Sequence, residues 1–235
     1  MAVSDPPPLS SYSSDIISMV NKMRDIGASR LFDLPTIVFC GKQSAGKSSL
    51  IEAMSGIHLP RASGTCTRTP TELRLTKTDE GTKWVCRIKL RFEEEKSSTQ
   101  GVYEKKFGGP IYSREDVAKA VSDAQTEILR GSETESDQGV LKFSRNVICV
   151  AIQGPDVGNL ALIDLPGLIE TTEKEEDTKF IKLVRNLVYD YIRKENSIIA
   201  MAISCKDDME NQAIKTLARR VDPHGLRTIG ILTKP

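Results

Sequence analysis

The segment Gly41-Lys-Gln-Ser-Ala-Gly46-Lys47-Ser48 constrains this chain more than any other, because it fits G-x-x-x-x-G-K-[ST] at every fixed position. An apolar, β-rich run, Thr36-Ile-Val-Phe-Cys40, precedes it, and Lys47 to Ser55 reads as a helix that stops at Gly56. Strand, glycine-bearing loop and helix in that order wrap backbone N–H groups around an anion and add a favourable helix dipole. Lys47 offers a point charge to β and γ phosphate oxygens, and Ser48 offers a hydroxyl to Mg²⁺. The alternative, a chance Gly/Ser-rich turn, leaves the flanking strand and helix without explanation.

Composition narrows what surrounds the loop. With 235 residues, 39% of them hydrophobic, the chain suffices for one sizeable core. Its 33 basic and 32 acidic side chains leave a net charge of +1, which removes the argument for a nucleic-acid binder. The longest apolar runs, Val147 to Ile152 and Ile198 to Ile203, fall far short of the roughly 20 residues that cross a bilayer, so a soluble protein is expected. Met1 to Ser14 lacks a secretory signal and reads as a flexible lead-in. Five cysteines without a C-x-x-C pair, mostly within strand-like runs, read as buried free thiols of a reducing compartment. His58 and His224 have no ligand-spaced neighbours.

Hydrophobic spacing gives the element order. Ile16, Met19, Val20, Met23 and Ile26 mark an amphipathic helix from Asp15 to about Leu31. Thr71 to Thr76 and Lys83 to Phe92 read as strands around the Asp79-Glu80-Gly81 turn, followed by a helix from Ser113 to Leu129 with Ser113 as its cap. Gly131 to Gln138 reads as a polar loop. Val147 to Ile152 and Leu160 to Ile163 are strands, and Phe180, Val184, Leu187, Val188 and Tyr191 mark a helix with an acidic first turn. Strand Ile198 to Ile203, a helix through Ala213, Ile214, Leu217 and Val221, the turn Asp222-Pro-His-Gly225 and strand Thr228 to Leu232 complete the order. Alternating strands and helices predict an α/β fold, a mostly parallel central sheet flanked by helices.

Two further segments fit phosphate chemistry. Asp164-Leu-Pro-Gly167 follows a predicted strand and resembles the second switch of GTP-binding proteins, in which Asp164 serves the Mg²⁺ shell and the Gly167 N–H reaches a γ-phosphate. Thr233-Lys234 follows the last strand and resembles the start of the guanine-reading [T/N]-K-x-D motif. Leu168 and Ile169 stand where Ras-type proteins carry a water-orienting Gln, and an apolar side chain cannot orient water. Gln43, inside the glycine loop, is the polar group available instead.

Together Gly41-x-Gln43-Ser44-x-Gly46-Lys47-Ser48-Ser49, Leu59-Pro60-Arg61-x-Ser63-Gly64-x-x-Thr67-Arg68-x-Pro70, Asp164-Leu-Pro-Gly167 and Val221-Asp-Pro-x-Gly-x-Arg227-Thr-Ile-Gly-Ile-Leu-Thr-Lys234 resemble the large GTPases of the dynamin superfamily, from about Asp15 to Pro235. The ending also resembles the Mx branch. The resemblance implies a Ras-like P-loop GTPase fold with dynamin-type insertions over residues 33–235, after a flexible 1–14 and a bundle-signalling-type helix at 15–32. It implies GTP/GDP and Mg²⁺ as ligands, with Gly41, Ser44, Ala45, Gly46, Lys47, Ser48, Ser49, Arg61, Ser63, Gly64, Gly167, Thr233 and Lys234 around the nucleotide. Arg61 alone is equally read as a surface arginine. Gln43 would orient the attacking water, Thr67 would bind Mg²⁺ and fix that water, and Ser44 with Ser63-Gly64 would hold K⁺ or Na⁺. Asp208 would reach across a homodimer formed over the nucleotide face, or else belong to a solvated acidic loop.

The same resemblance implies a cytoplasmic protein, peripheral at membranes, that forms higher oligomers and meets a membrane or cytoskeletal partner such as microtubules through regions beyond Pro235. The aspartate that would complete the guanine motif is expected there too. Two other readings stand beside the mechanochemical GTPase. One is a nucleotide-gated interaction module with little hydrolysis, because Ile169 to Asp177 departs from the family's pattern. The other is a P-loop kinase or ATPase, which leaves Thr67 and Thr233-Lys234 unexplained.

Overall fold

The computed structural model describes Met19 and residues 36–60, 67–93, 102–130, 143–169, 178–206 and 213–234. Among the described residues eight strands and four helices follow in the order β1 (Thr36–Gly41), α1 (Lys47–Ser55), β2 (Thr71–Lys77), β3 (Val85–Phe92), β4 (Tyr103–Ile111), α2 (Glu115–Arg130), β5 (Val147–Gly154), β6 (Leu160–Asp164), α3 (Thr178–Ile192), β7 (Ser197–Ser204), α4 (Ala213–Val221) and β8 (Thr228–Thr233). They form one sheet in the order β4-β3-β5-β2-β6-β1-β7-β8. Pairs β1/β6, β1/β7, β7/β8 and β2/β5 run parallel. Pairs β2/β6, β3/β5 and β3/β4 are antiparallel, so the mostly parallel expectation holds around the glycine loop and gives way towards the β4 edge.

Period-two alternation sends the side chains of β1, β6 and β7 to two cores. On one face Phe39, Leu73, Ile88, Ile148 and Leu162 pack against Ile51 of α1 and Val117, Val121 and Ile128 of α2. On the other, Val38, Cys40 and Ile163 pack against Val184 and Val188 of α3 and Ile214 and Leu217 of α4. Helices thus cover both faces, as alternation predicted. Helix α1 spans the residues expected of it, and the Gly56 N–H closes it on Glu52 O at 2.8 Å. Ser113 Oγ accepts the Glu115 N–H at 3.3 Å, a start-of-helix bond for α2.

Three expectations need correction. Strand β4 is absent from the sequence reading, because Lys105, Lys106, Gly108, Gly109 and Pro110 interrupt the apolar alternation; it is an edge strand that is mostly exposed, with only Phe107 and Ile111 packed against the core. Helix α3 begins at Thr178 with no acidic residue in its first turn. The thiols divide: Cys40, Cys86 and Cys149 are buried, and burial pushes each up to about 12, whereas Cys205, just past the end of β7, is exposed. Of the predicted N-terminal helix only Met19 is described, helical and exposed. The flexible start, the polar loop 131–138, Cys66, Arg61, Ser63, Gly64 and Asp208 lie outside the described residues.

Candidate nucleotide site

The site forms where parallel strands β1, β6, β7 and β8 end together, the usual ligand crevice of an open α/β sheet. Gly46, at φ 85°, sits in the left-handed region that a residue with a Cβ enters at a cost, and it turns the loop directly into α1. Ser44 is also left-handed, at φ 61°, and exposed. No side chain caps the α1 N-terminus, so its first N–H groups stay turned to the loop's concavity. Lys47 opens the helix, 7% exposed, its Nζ donating to the Lys42 carbonyl of its own loop at 3.2 Å. Ser49, one turn position on, is exposed, and Ala45 is buried.

The D-x-x-G segment lies against this loop rather than near it. The Leu168 N–H donates to Gly41 O at 3.0 Å and the Gln43 N–H to Leu168 O at 3.4 Å, a parallel bridge between the two segments. Between them Gly167 is buried, and a Cβ there would lie 2.5 Å from Gln43 Cα and 2.7 Å from Gln43 N. Only a hydrogen fits, so the glycine is fixed by contact with the residue proposed to orient water. Thr233, at the end of β8, lies with Oγ1 2.8 Å from Ala45 O and 3.2 Å from Ile203 O, its one proton shared by a loop carbonyl and a neighbouring strand. Lys234 follows it, exposed and left-handed at φ 55°.

Asp164 is the electrostatic centre. It is 2% exposed, and its Oδ2 accepts the Ser48 hydroxyl at 3.1 Å and the Thr67 hydroxyl at 3.0 Å. Its Oδ1 is buried with no hydrogen-bond partner. Burial raises the carboxyl above its ordinary value, with Lys47 and the two hydroxyls opposing the shift. Two hydroxyls and a carboxylate with an orphaned oxygen are hard oxygen donors, the set Mg²⁺ takes when most of its remaining ligands are phosphate and water. The residues present therefore fit the ion.

The structure brings Gly41, Gln43, Ser44, Ala45, Gly46, Lys47, Ser48, Ser49, Thr67, Asp164, Gly167, Thr233 and Lys234 to one end of the sheet. Sequence reasoning missed Gln125 of α2, whose Oε1 accepts the Arg68 N–H at 2.9 Å beside Thr67. The available signal was its place within the apolar stripe Val117, Val121, Ala124 and Ile128, where an amide is out of pattern.

A glycine loop between strand and helix, bridged to an aspartate segment at the end of the next strand, defines a P-loop nucleotide-binding domain. The model of the dynamin family matches residues 37–235. The chain belongs to the dynamin family, and its described residues form a GTPase domain of that family. It is 34% identical over 220 residues, 93% of its length, to interferon-induced GTP-binding protein Mx of Dicentrarchus labrax and of Perca fluviatilis, spanning 30% and 65% of those proteins. The interferon-induced GTP-binding protein Mx1 of Oncorhynchus mykiss is 34% identical over the same length, and the chain spans 32% of it.

Proposed function

We propose that this chain binds GTP with Mg²⁺ and hydrolyses it to GDP and phosphate, as the motor domain of a dynamin-like or Mx-like mechanochemical protein. The observation that carries the reading is the buried Asp164 carboxylate, one oxygen receiving both Ser48 and Thr67 and the other without a partner. Lys47 exchanges the Lys42 carbonyl for β and γ phosphate oxygens, and backbone N–H groups of residues 41–49 and Gly167 cradle the phosphates. Ser48 and Thr67 would hold Mg²⁺, with Asp164 reaching it through water, and the charge such an ion would supply there is compensation for the transferring phosphoryl group. Gln43 orients the water whose oxygen bonds to the γ-phosphorus. The bond from that phosphorus to the β–γ bridging oxygen breaks, GDP departs with that oxygen and the bond's electron pair, and both of the water's protons leave with the phosphate, one on the attacking oxygen and one on another phosphate oxygen.

Ser44 with Ser63 and Gly64 is assigned a monovalent cation in the place an arginine finger fills elsewhere. Arg61 joins the nucleotide surround, Thr233 and Lys234 lie on its base side, and Asp208 crosses a homodimer over the nucleotide face. Membrane remodelling, a cytoskeletal target such as microtubules, and higher assembly are assigned to the whole protein. We place it in the cytoplasm, at times peripheral to membranes, a compartment that keeps Cys40, Cys86 and Cys149 reduced.

Binding and turnover measured with Mg²⁺ and K⁺ across protein concentration test the reading. GTP turnover per molecule is expected to rise with concentration, and Lys47→Ala to bind little nucleotide. Saturable GTP binding without turnover at any concentration identifies a nucleotide-gated interaction module instead.

A further inference from the structure

Upstream of Thr71, the last β2 residue in register with β6, the chain loses that neighbour. On its other side the bonding continues, with the Ser144 N–H donating to Arg68 O at 3.1 Å and the Ile148 N–H to Pro70 O at 3.0 Å. The Arg68 N–H, which has no strand beside it, is met by the side-chain oxygen of Gln125 at 2.9 Å. Gln125 stands one turn after Val121 and one before Ile128, both buried, so α2 delivers this acceptor from the face it packs on the sheet. With Thr67, Thr71 and Asp164 it also borders a cavity of about 10 Å³, at the limit for one water. Arg68 is thus held at both backbone edges, one residue from the Thr67 hydroxyl that meets Asp164 at 3.0 Å.

We propose that Gln125 is a positioning residue for nucleotide hydrolysis, its side-chain carbonyl fixing the Arg68 backbone so that Thr67 is presented to Asp164 before nucleotide arrives. This rests on the reading of Thr67 as a Mg²⁺ and water ligand. Gln125 touches neither substrate nor ion; it acts through the backbone of its neighbour. A segment ordered in advance does not have to be ordered in the transition state, so the loss on releasing it appears in kcat and in the Mg²⁺ requirement rather than in GTP affinity.

Gln125→Leu removes the acceptor at similar volume, and Gln125→Glu keeps an acceptor oxygen at the same reach. In steady-state GTP hydrolysis by the 235-residue chain, Gln125→Leu is expected to lower kcat about tenfold with KM within about twofold, and to raise the Mg²⁺ needed for half-maximal rate. Gln125→Glu is expected to keep most of the wild-type kcat. Amide exchange at Arg68 should quicken in Gln125→Leu while the α1 amides keep their protection. Unchanged kcat and Mg²⁺ dependence in Gln125→Leu overturns the proposal, and so does an equal loss in both variants with Arg68 still protected. If Gln125→Leu does not fold, Gln125→Asn, one methylene shorter, must show the same pattern in weaker form, and wild-type behaviour there overturns the proposal too. A wild-type chain that binds no fluorescent GTP or GDP overturns the reading of the site itself, an outcome distinct from a defect confined to Gln125.

Discussion

Asp164 shows how much one residue's environment decides. Its folded-state proton affinity is raised by burial, so the folded chain binds a proton more readily than the unfolded one. The linked stability is therefore fully present below the ordinary carboxylate range and falls as pH climbs towards the raised folded value. Metal-free protein is expected to lose thermal stability as pH rises out of the ordinary carboxylate range, with Asp164→Asn flattening that loss in thermal melts. Mg²⁺ with nucleotide should restore the wild type at the higher pH and leave Asp164→Asn little changed. Gly167 makes the complementary point about space. Its substitution by Ala forces a Cβ onto the Gln43 backbone, which is expected to cost about 2 kcal/mol in urea denaturation and to weaken GTP binding at least about tenfold. Both residues stood out in the sequence as D-x-x-G, but neither the orphaned oxygen nor the contact with Gln43 was legible, since each depends on two segments far apart in the chain.

At the scale of elements, side chains brace what backbone pairing leaves loose. Arg227 donates through Nη1 to Ile192 O at 2.7 Å and Ser197 O at 2.9 Å, and through Nη2 to Val221 O at 3.1 Å, joining the ends of α3 and α4 to the start of β7. Replacing it with Met leaves three carbonyls without that donor and is expected to cost about 3 kcal/mol by denaturant titration. Asp222 completes the corner: the Thr228 hydroxyl, then the Arg227 and Leu226 N–H groups, hold its carboxyl below the ordinary range. That contribution is present above the unfolded value of 3.8 and is lost as pH falls through the lower folded value, so Asp222→Asn should blunt acid unfolding. Across the sheet, Arg91 of β3 reaches over β5 to Glu72 of β2 at 3.0 Å, with Arg74 at 3.0 Å on the carboxylate's other oxygen. Glu72 is nine-tenths buried, so Glu72→Ala takes the carboxylate from Arg74 and leaves Arg91 with only the Glu93 carboxylate, at 2.9 Å, and is expected to cost about 3 kcal/mol. Within the described residues the helices and most strands were readable from apolar spacing and short apolar runs. Strand β4 and the antiparallel β2/β6 pair were not, because an edge strand carries no apolar period and the direction of pairing leaves no mark on a buried strand's composition.

The whole molecule follows from the same logic as the loop that announces it. Parallel strands β6, β1, β7 and β8 place their carboxyl ends at one rim, and Asp164, Gly41 and Thr233 stand there because each ends or follows one of those strands. The glycine loop, the D-x-x-G segment and the Thr-Lys end are local patterns, so the chain spells them out. Gln125 enters from a helix that belongs to the other half of the sheet, and no local pattern links it to Thr67. The central claim, that this rim holds GTP for hydrolysis, is tested most directly by phosphate release from GTP and from ATP with Mg²⁺, comparing the wild-type chain with Lys47→Ala. Release from GTP is expected that Mg²⁺ chelation and Lys47→Ala both abolish, with little release from ATP; equal release from the wild type and Lys47→Ala, or none from GTP at any protein concentration, would show that the rim does not hold GTP for hydrolysis.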